Sequence, residues 1–166
     1  MDNGDGQAKM LVCYYSRTGH TQHMAEAIGK GANGVGLLTA EVKPIDQVEA
    51  GDLLSYDAIV IGSPTYYGSM AAGVKHLIDE SVAFHGQLAG KVGGAFASSA
   101  NVGGGNETTV MNILQAMLIH GMVVQGSATG DHYGPVAIGD MDKRAESQCR
   151  SYGRQLAELA LKLPGR

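Results

Sequence analysis

Met10-Leu-Val-Cys-Tyr-Tyr15 runs straight into Ser16-Arg17-Thr18-Gly19-His20-Thr21, and the reading of that junction decides the fold. The first six residues carry no charge, and a Ser/Gly cluster bounds them, so they predict a short buried strand. Met24, Ala25 and Ile28 then fall at helical spacing, so Thr21 to about Gly31 is expected to be a helix. A strand that turns through a glycine-containing loop into a helix is the opening half of a βαβ unit.

The same alternation continues downstream. Leu37 to Val42 reads as a second strand closed by Pro44, and Asp46 to Leu54 as a short helix or loop. Asp57-Ala-Ile-Val-Ile-Gly62 is a third strand, Ala71 to Asp79 a helix and Lys91 to Ser98 a fourth strand. Val110, Ile113, Leu114, Met117 and Leu118 give a helix its apolar face, with Gly121 as its stop. Met122 to Gln125 is a fifth strand. A closing helix from about Asp142 to Leu163 buries Cys149, Tyr152, Leu156, Leu159, Ala160 and Leu163. Strands alternating with helices imply a parallel sheet covered on both faces. Five such units fit an α/β three-layer sandwich, its five-stranded parallel sheet in the order 2-1-3-4-5. Ligands of such sheets sit outside the carboxyl ends of the strands, at the switch point beside strand one.

Composition narrows the function. The 166 residues are 44% hydrophobic, with a net charge of -4 and no basic stripe, which argues against nucleic acid as a partner. Cys13 and Cys149 are far apart and lack CxxC spacing, so neither a disulfide framework nor a zinc site is expected, and Cys13 reads as a buried hydrophobe. No apolar stretch approaches the roughly 20 residues that span a membrane. Residues 1–8 read as a flexible leader without the features of a signal peptide. Residues 9–166 read as one domain, and a cytoplasmic location is expected.

Three loops carry the chemistry. In residues 16–21 a helix N-terminus offers unpaired N–H groups and partial positive charge, suited to a phosphate. Ser16, Thr18 and Thr21 add hydroxyls, and Gly19 lets the backbone fold around an anion. The plainer alternative is a Ser/Thr-capped turn. In the second loop, Ser63 to Met70, the adjacent Tyr66 and Tyr67 lie between Pro64 and Gly68 and can face a flat π-system. The third, Ser98 to Glu107, contains Gly103-Gly-Gly105, which permits close backbone approach to a polar ring edge. Rival phosphate motifs fail. The nearest Walker match, Gly86 to Lys91, is one residue short and precedes a strand. No GxGxxG follows strand one. Position 19 is Gly where a Cys13-based phosphatase loop needs Arg. A receiver domain needs an acidic pair after strand one, where this chain has Ser16. No two histidines show convincing metal spacing with a carboxylate partner.

Taken together, these segments resemble flavodoxin-like FMN proteins, and more closely the tryptophan-repressor-binding-protein type of NAD(P)H:quinone oxidoreductase. The matching stretches are Tyr14 to His20, Gly62 to Met70, Gly103 to Glu107, His120 to Val123 and Tyr133-Gly134. The resemblance implies a flavodoxin-like fold with FMN bound by Ser16, Arg17, Thr18, Gly19, His20 and Thr21 at its phosphate. It further implies Pro64, Thr65, Tyr66, Tyr67 and Gly68 flanking the ring. Ser99, Ala100, Asn101, Val102, Gly103 and Gly104 would surround the polar edge, with Tyr133 nearby. His120 matches a histidine that in the family reaches a flavin site across a subunit contact, and it is the candidate catalytic residue. Its simpler reading is a histidine favoured by a helix C-terminus. His23, His76 and His85 are expected at the surface, and His132 near the Tyr133-Gly134 segment.

Two departures stand out. The quinone-reductase relatives carry long insertions after strands two and five, where this chain is short at Pro44 to Ser55 and Ser127 to Tyr133. It also has no Trp. The implied activity is hydride transfer from NAD(P)H to FMN, then two electrons to a quinone or similar acceptor, in a homo-oligomer (dimer or tetramer). The flavin supplies that chemistry and the protein supplies orientation and electrostatics. The rival is a flavodoxin-type electron carrier between protein partners. Such carriers tend to be more strongly acidic than a charge of -4.

Overall fold

β1 (Ala8–Tyr14) sits between two parallel neighbours, β2 (Leu38–Pro44) on one side and β3 (Ala58–Tyr66) on the other. β5 (Val92–Ser99) continues the sheet beyond β3, and β6 (Val123–Val124) pairs with the start of β5. The order is therefore β2-β1-β3-β5-β6, the expected 2-1-3-4-5 topology once β4 (Ser69–Met70), a hairpin partner of β3, is set aside. The computed structural model describes residues 7–163. Residues 1–6 of the expected leader lie outside the described residues, and Ala8 already belongs to β1.

Alternation along the strands builds two cores, as a period of two requires. Met10, Val12 and Tyr14 of β1, with Val60 and Phe96, face α1 (His20–Asn33) and α4 (Lys143–Lys162). Leu11 and Cys13, with Ile59 and Ile61, face α2 (Ala72–Glu80) and α3 (Asn106–Ile119). Both thiols are buried, which pushes each up to about 12 and keeps it protonated. α1 and α4 touch through glycine: a Cβ on Gly31 would lie 2.0 Å from the Arg150 carbonyl oxygen, and one on Gly153 would lie 2.0 Å from that of Ile28. The segment after β2 forms two 3-10 turns, Ile45–Gln47 and Ala50–Ser55, in place of a full helix.

The fifth strand is interrupted, which the sequence reading did not foresee. β6 ends at Val124, and the ladder resumes at β7 (Val136–Ile138), which pairs with Ala97 to Ser99. In the gap, the Ala95 N–H donates to the Tyr152 hydroxyl oxygen of α4 at 3.2 Å. Tyr152 is 4% exposed, and burial pushes its phenol up to about 12. Tyr152→Phe strands a buried N–H and should cost about 1–3 kcal/mol. Urea unfolding of both proteins measures it. A midpoint that does not move would mean the amide has another acceptor.

Candidate functional site

β1, β3 and β5 all end at the same edge, so their following loops meet there. Tyr15 N–H donates to the Gly62 carbonyl at 3.0 Å and carries the chain out of β1 beside β3. The Gly19 N–H donates back to Ser16 Oγ at 3.1 Å. Gly19 itself adopts φ 94°, a left-handed conformation that side chains resist. No side chain caps α1, so the first-turn amides of His20, Thr21 and Gln22 have no intrahelical acceptor. Thr21 is buried, and its hydroxyl pairs with Ser98 Oγ at 2.9 Å. That bond pins the start of α1 to the end of β5.

The second loop is a hairpin. Tyr66 faces Ser69 across a two-residue turn in which Tyr67 has φ 51° and Gly68 φ 79°, the sign pattern of a primed hairpin turn. Tyr67 is the one non-glycine residue with positive φ among the described residues, and its side chain is fully exposed. Such strain persists only where neighbours enforce it. Here the start of α3 does so: Thr108 Oγ1 donates to the Gly68 carbonyl at 2.9 Å, and Thr109 Oγ1 to Thr65 Oγ1 at 3.1 Å. A Cβ on Gly105 would lie 2.8 Å from Gly68 Cα, so glycine allows this contact. The Tyr15 and Tyr66 rings meet edge to face, with centroids 6.2 Å apart.

These loops enclose a cleft of about 520 Å³. From the first loop Ser16, Arg17, Thr18, His20 and Thr21 line it. The second contributes Pro64, Thr65 and Tyr66, and the third Ser98, Ser99 and Ala100. Other expected residues stand outside this wall. Tyr67 and residues 101–104 are exposed in the bordering loops. Tyr133 is half exposed at the sheet edge upstream of β7. His23, His76 and His85 are exposed, as expected, and His132 is exposed beside Tyr133.

Sequence reading missed three groups: Ser98, which lies within the third loop, Gly139 and Asp140. Gly139 also lines the cleft, held by its N–H to the Ser99 carbonyl at 2.8 Å. Beside it, Asp140 Oδ1 lies 3.1 Å from His23 Nδ1. It is 3.5 Å from His20 Nδ1, a buried atom without a hydrogen bond, so that second contact is an ion-pair distance only. The available signal was Asp142, an N-cap that accepts from the Ala145 N–H at 2.7 Å and fixes where the last helix begins.

Asp140 is held at about 2, below its ordinary 3.8, by the His23 hydrogen bond first, then the Met141 N–H and His20. A carboxyl depressed in the folded state contributes stability above its unfolded value and loses it as pH falls through the folded one. Stability curves of the protein and Asp140→Asn should therefore differ above 3.8 and converge as pH falls towards about 2. A constant gap across that window would overturn the assignment.

His120 lies elsewhere in the chain. α3 leads away from the cleft to the amino end of β5, where the Gly90 N–H donates to the Gly121 carbonyl at 3.0 Å. There His120 Nε2 is 2.8 Å from Ser81 Oγ, which itself donates to the Ile78 carbonyl. Those bonds assign the proton to Nε2 and leave buried Nδ1 without a partner. Burial first, and His85 second, lower the pKa of this imidazole and favour its neutral form.

Known proteins resemble this chain in sequence and fold. The family described as NADPH-dependent FMN reductase matches residues 50–133. A protein named Flavodoxin from Aquifex aeolicus is 36% identical over 167 residues, covering 95% of this chain and 90% of that protein. A NAD(P)H dehydrogenase (quinone) from Bradyrhizobium diazoefficiens is 36% identical over 199 residues, covering 95% and 99%. That alignment is longer than this chain, so the relative carries residues without a counterpart here, in keeping with the short connections. The solved structure of a flavodoxin, WrbA-like protein from Agrobacterium tumefaciens superposes with a TM-score of 0.78 at 29% identity, covering 93% of this chain and 98% of that one. With the sheet order, the loop-built cleft and these matches in hand, the chain belongs to the WrbA-type, flavodoxin-like branch of the NADPH-dependent FMN reductase family.

Proposed function

We propose that this protein is an FMN-dependent oxidoreductase that takes hydride from NAD(P)H and passes two electrons to a quinone or similar acceptor. The observation that carries this reading is the convergence of the uncapped N-terminus of α1 with Tyr66 and the end of β5 in one cleft. Its volume is within the range of small-molecule sites. The free amides, Ser16 and Thr18 suit a dianionic phosphate. Bound FMN would supply the redox chemistry, with the chain supplying position and electrostatics. Ser16 to Thr21 would hold the phosphate. Pro64 to Gly68 would flank the ring, and Ser99 to Gly104, with Tyr133, would approach its edge. His120 of one copy would reach a cleft only in a neighbouring copy, so its role requires a homo-oligomer, dimer or tetramer. No described helix is long and apolar enough to cross a membrane.

The test is anaerobic mixing of FMN-loaded protein with NADH or NADPH, read as loss of flavin absorbance near about 450 nm. Fast bleaching followed by recovery on adding a quinone is the expected result. The second reading is an electron carrier with a protein partner. The Aquifex Flavodoxin match favours it, as do the exposed Tyr67 and Val102 beside the cleft. Absence of bleaching by either nucleotide would select it.

A further inference from the structure

A second groove of about 540 Å³ runs over the carboxyl ends of β1 and β2. Ser16 lines both this groove and the cleft described above, so the two are contiguous. Its walls are flat: Tyr15 on one side, Pro44 and Ile45 at the end of β2 on the other. Gly73 keeps the groove open, because a Cβ there would lie 3.3 Å from Tyr15 Cδ2. Tyr14 also lines it. That side chain is 9% exposed, and its hydroxyl makes no hydrogen bond among the described residues. Burial, with Glu26 and Asp46 adding, raises its pKa, so the hydroxyl keeps a proton to donate. Tyr14 therefore offers the groove a hydroxyl donor that an acceptor on a ligand can engage.

The remaining polar groups define that ligand. Asp46 stands at the end of β2 as an acceptor, and Gln22, whose amide nitrogen is bonded to Glu26, still offers its carbonyl oxygen. His76 is at the exposed margin. Nearby cations are committed elsewhere, Lys43 to Glu41 and Lys75 to Asp79. With Asp46 and Glu26 beside it, the groove disfavours a phosphate and favours a neutral ring with both donors and acceptors. A quinone has no donor to offer Asp46. Adenine has an exocyclic amine and ring acceptors, and the Asp46 carboxylate can accept hydrogen bonds from that amine or from a ribose diol.

We propose that this groove binds the adenosine half of the nicotinamide donor, and that its carboxylates select a donor without a 2′-phosphate. The inference rests on the NAD(P)H reading above. To test it, FMN-loaded protein is titrated with AMP and with adenosine 2′,5′-bisphosphate while backbone amide NMR signals are followed. AMP should move the amides of Tyr15, Ile45, Asp46 and Gly73. The bisphosphate should bind at least about tenfold more weakly, as like-charge contact requires. Asp46→Arg should remove or reverse that preference, and Tyr14→Phe should weaken AMP with its fold retained by circular dichroism. Shifts confined to residues 16–21 or 98–104, or equal affinities in both proteins, would overturn the proposal. Retention of FMN through dialysis reports separately on the cofactor reading. If FMN is lost, the same titration of the apoprotein still shows whether AMP occupies the groove.

Discussion

Thr18→Asp is expected to weaken FMN binding at least about 100-fold, or about 2.7 kcal/mol, without lowering the thermal midpoint of the apoprotein. Thr18 is exposed and immediately precedes Gly19, the N-cap of α1. A carboxylate there faces the positive end of the helix, a contact worth about 0.3–1 kcal/mol in favour of folding. The same carboxylate occupies the position at which a bound phosphate would gain from that field, and two anions cannot share it. Thr18→Asn has nearly the same shape without the charge and should lose less than about tenfold. Flavin fluorescence titration measures all three affinities. Equal losses in Asp and Asn would assign the effect to shape. No loss in either would mean that the phosphate does not sit on α1, and the reading of the first loop would fail with it.

The second large effect concerns stability. Gly153→Val should destabilise the protein by about 3 kcal/mol, the upper part of the range for forced overpacking. Its Cβ would lie 2.0 Å from the Ile28 carbonyl oxygen and 3.0 Å from the Ala32 backbone nitrogen. Backbone on the neighbouring helix cannot rotate away as a side chain would, so α1 and α4 must separate. A domain of this size then loses about 6–12 °C in thermal midpoint. Arg154, the next residue in α4, is exposed. Arg154→Ala should therefore stay within about 0.5 kcal/mol. Moving α1 also moves the Thr21–Ser98 hydrogen bond, so Gly153→Val should weaken FMN as well. A midpoint shift below about 2 °C would show that the helix pair yields easily and that the close approach is incidental.

Access to the cleft decides which acceptor this oxidoreductase can reduce, and the cleft walls set that access. Tyr66 is braced edge-on by Tyr15, whereas Tyr67 projects fully into solvent from a strained turn. An exposed aromatic beside the cleft suits contact with a second macromolecule, either a redox partner or another copy of the chain. Its short connections bring the chain close in length to the Aquifex Flavodoxin, while the quinone dehydrogenases match it equally in identity.

The sequence by itself determined the alternation of strands and helices, hence the layers, and the loops that follow the strands; the strand order was matched to a known topology. The elements themselves follow from local information. Alternation in Met10 to Tyr14 assigns each residue to a face, and the helical spacing of Val110 to Met117 needs no distant partner. It also pointed to Ser16 to Thr21, because a Ser/Thr/Gly loop between strand and helix carries its chemistry in consecutive residues. Only the tertiary structure decided what depends on contacts between distant segments. The fifth strand breaks because Tyr152, far along the chain, supplies the acceptor that a strand would have given Ala95. Asp140 enters the site because β7 delivers it beside His20 and His23. His120 ends a 14-residue helix that runs away from the cleft, and its pairing with Ser81 is again a contact between distant segments. In each case the deciding interaction joins residues remote in sequence, and no local pattern of spacing or composition encodes such a pair.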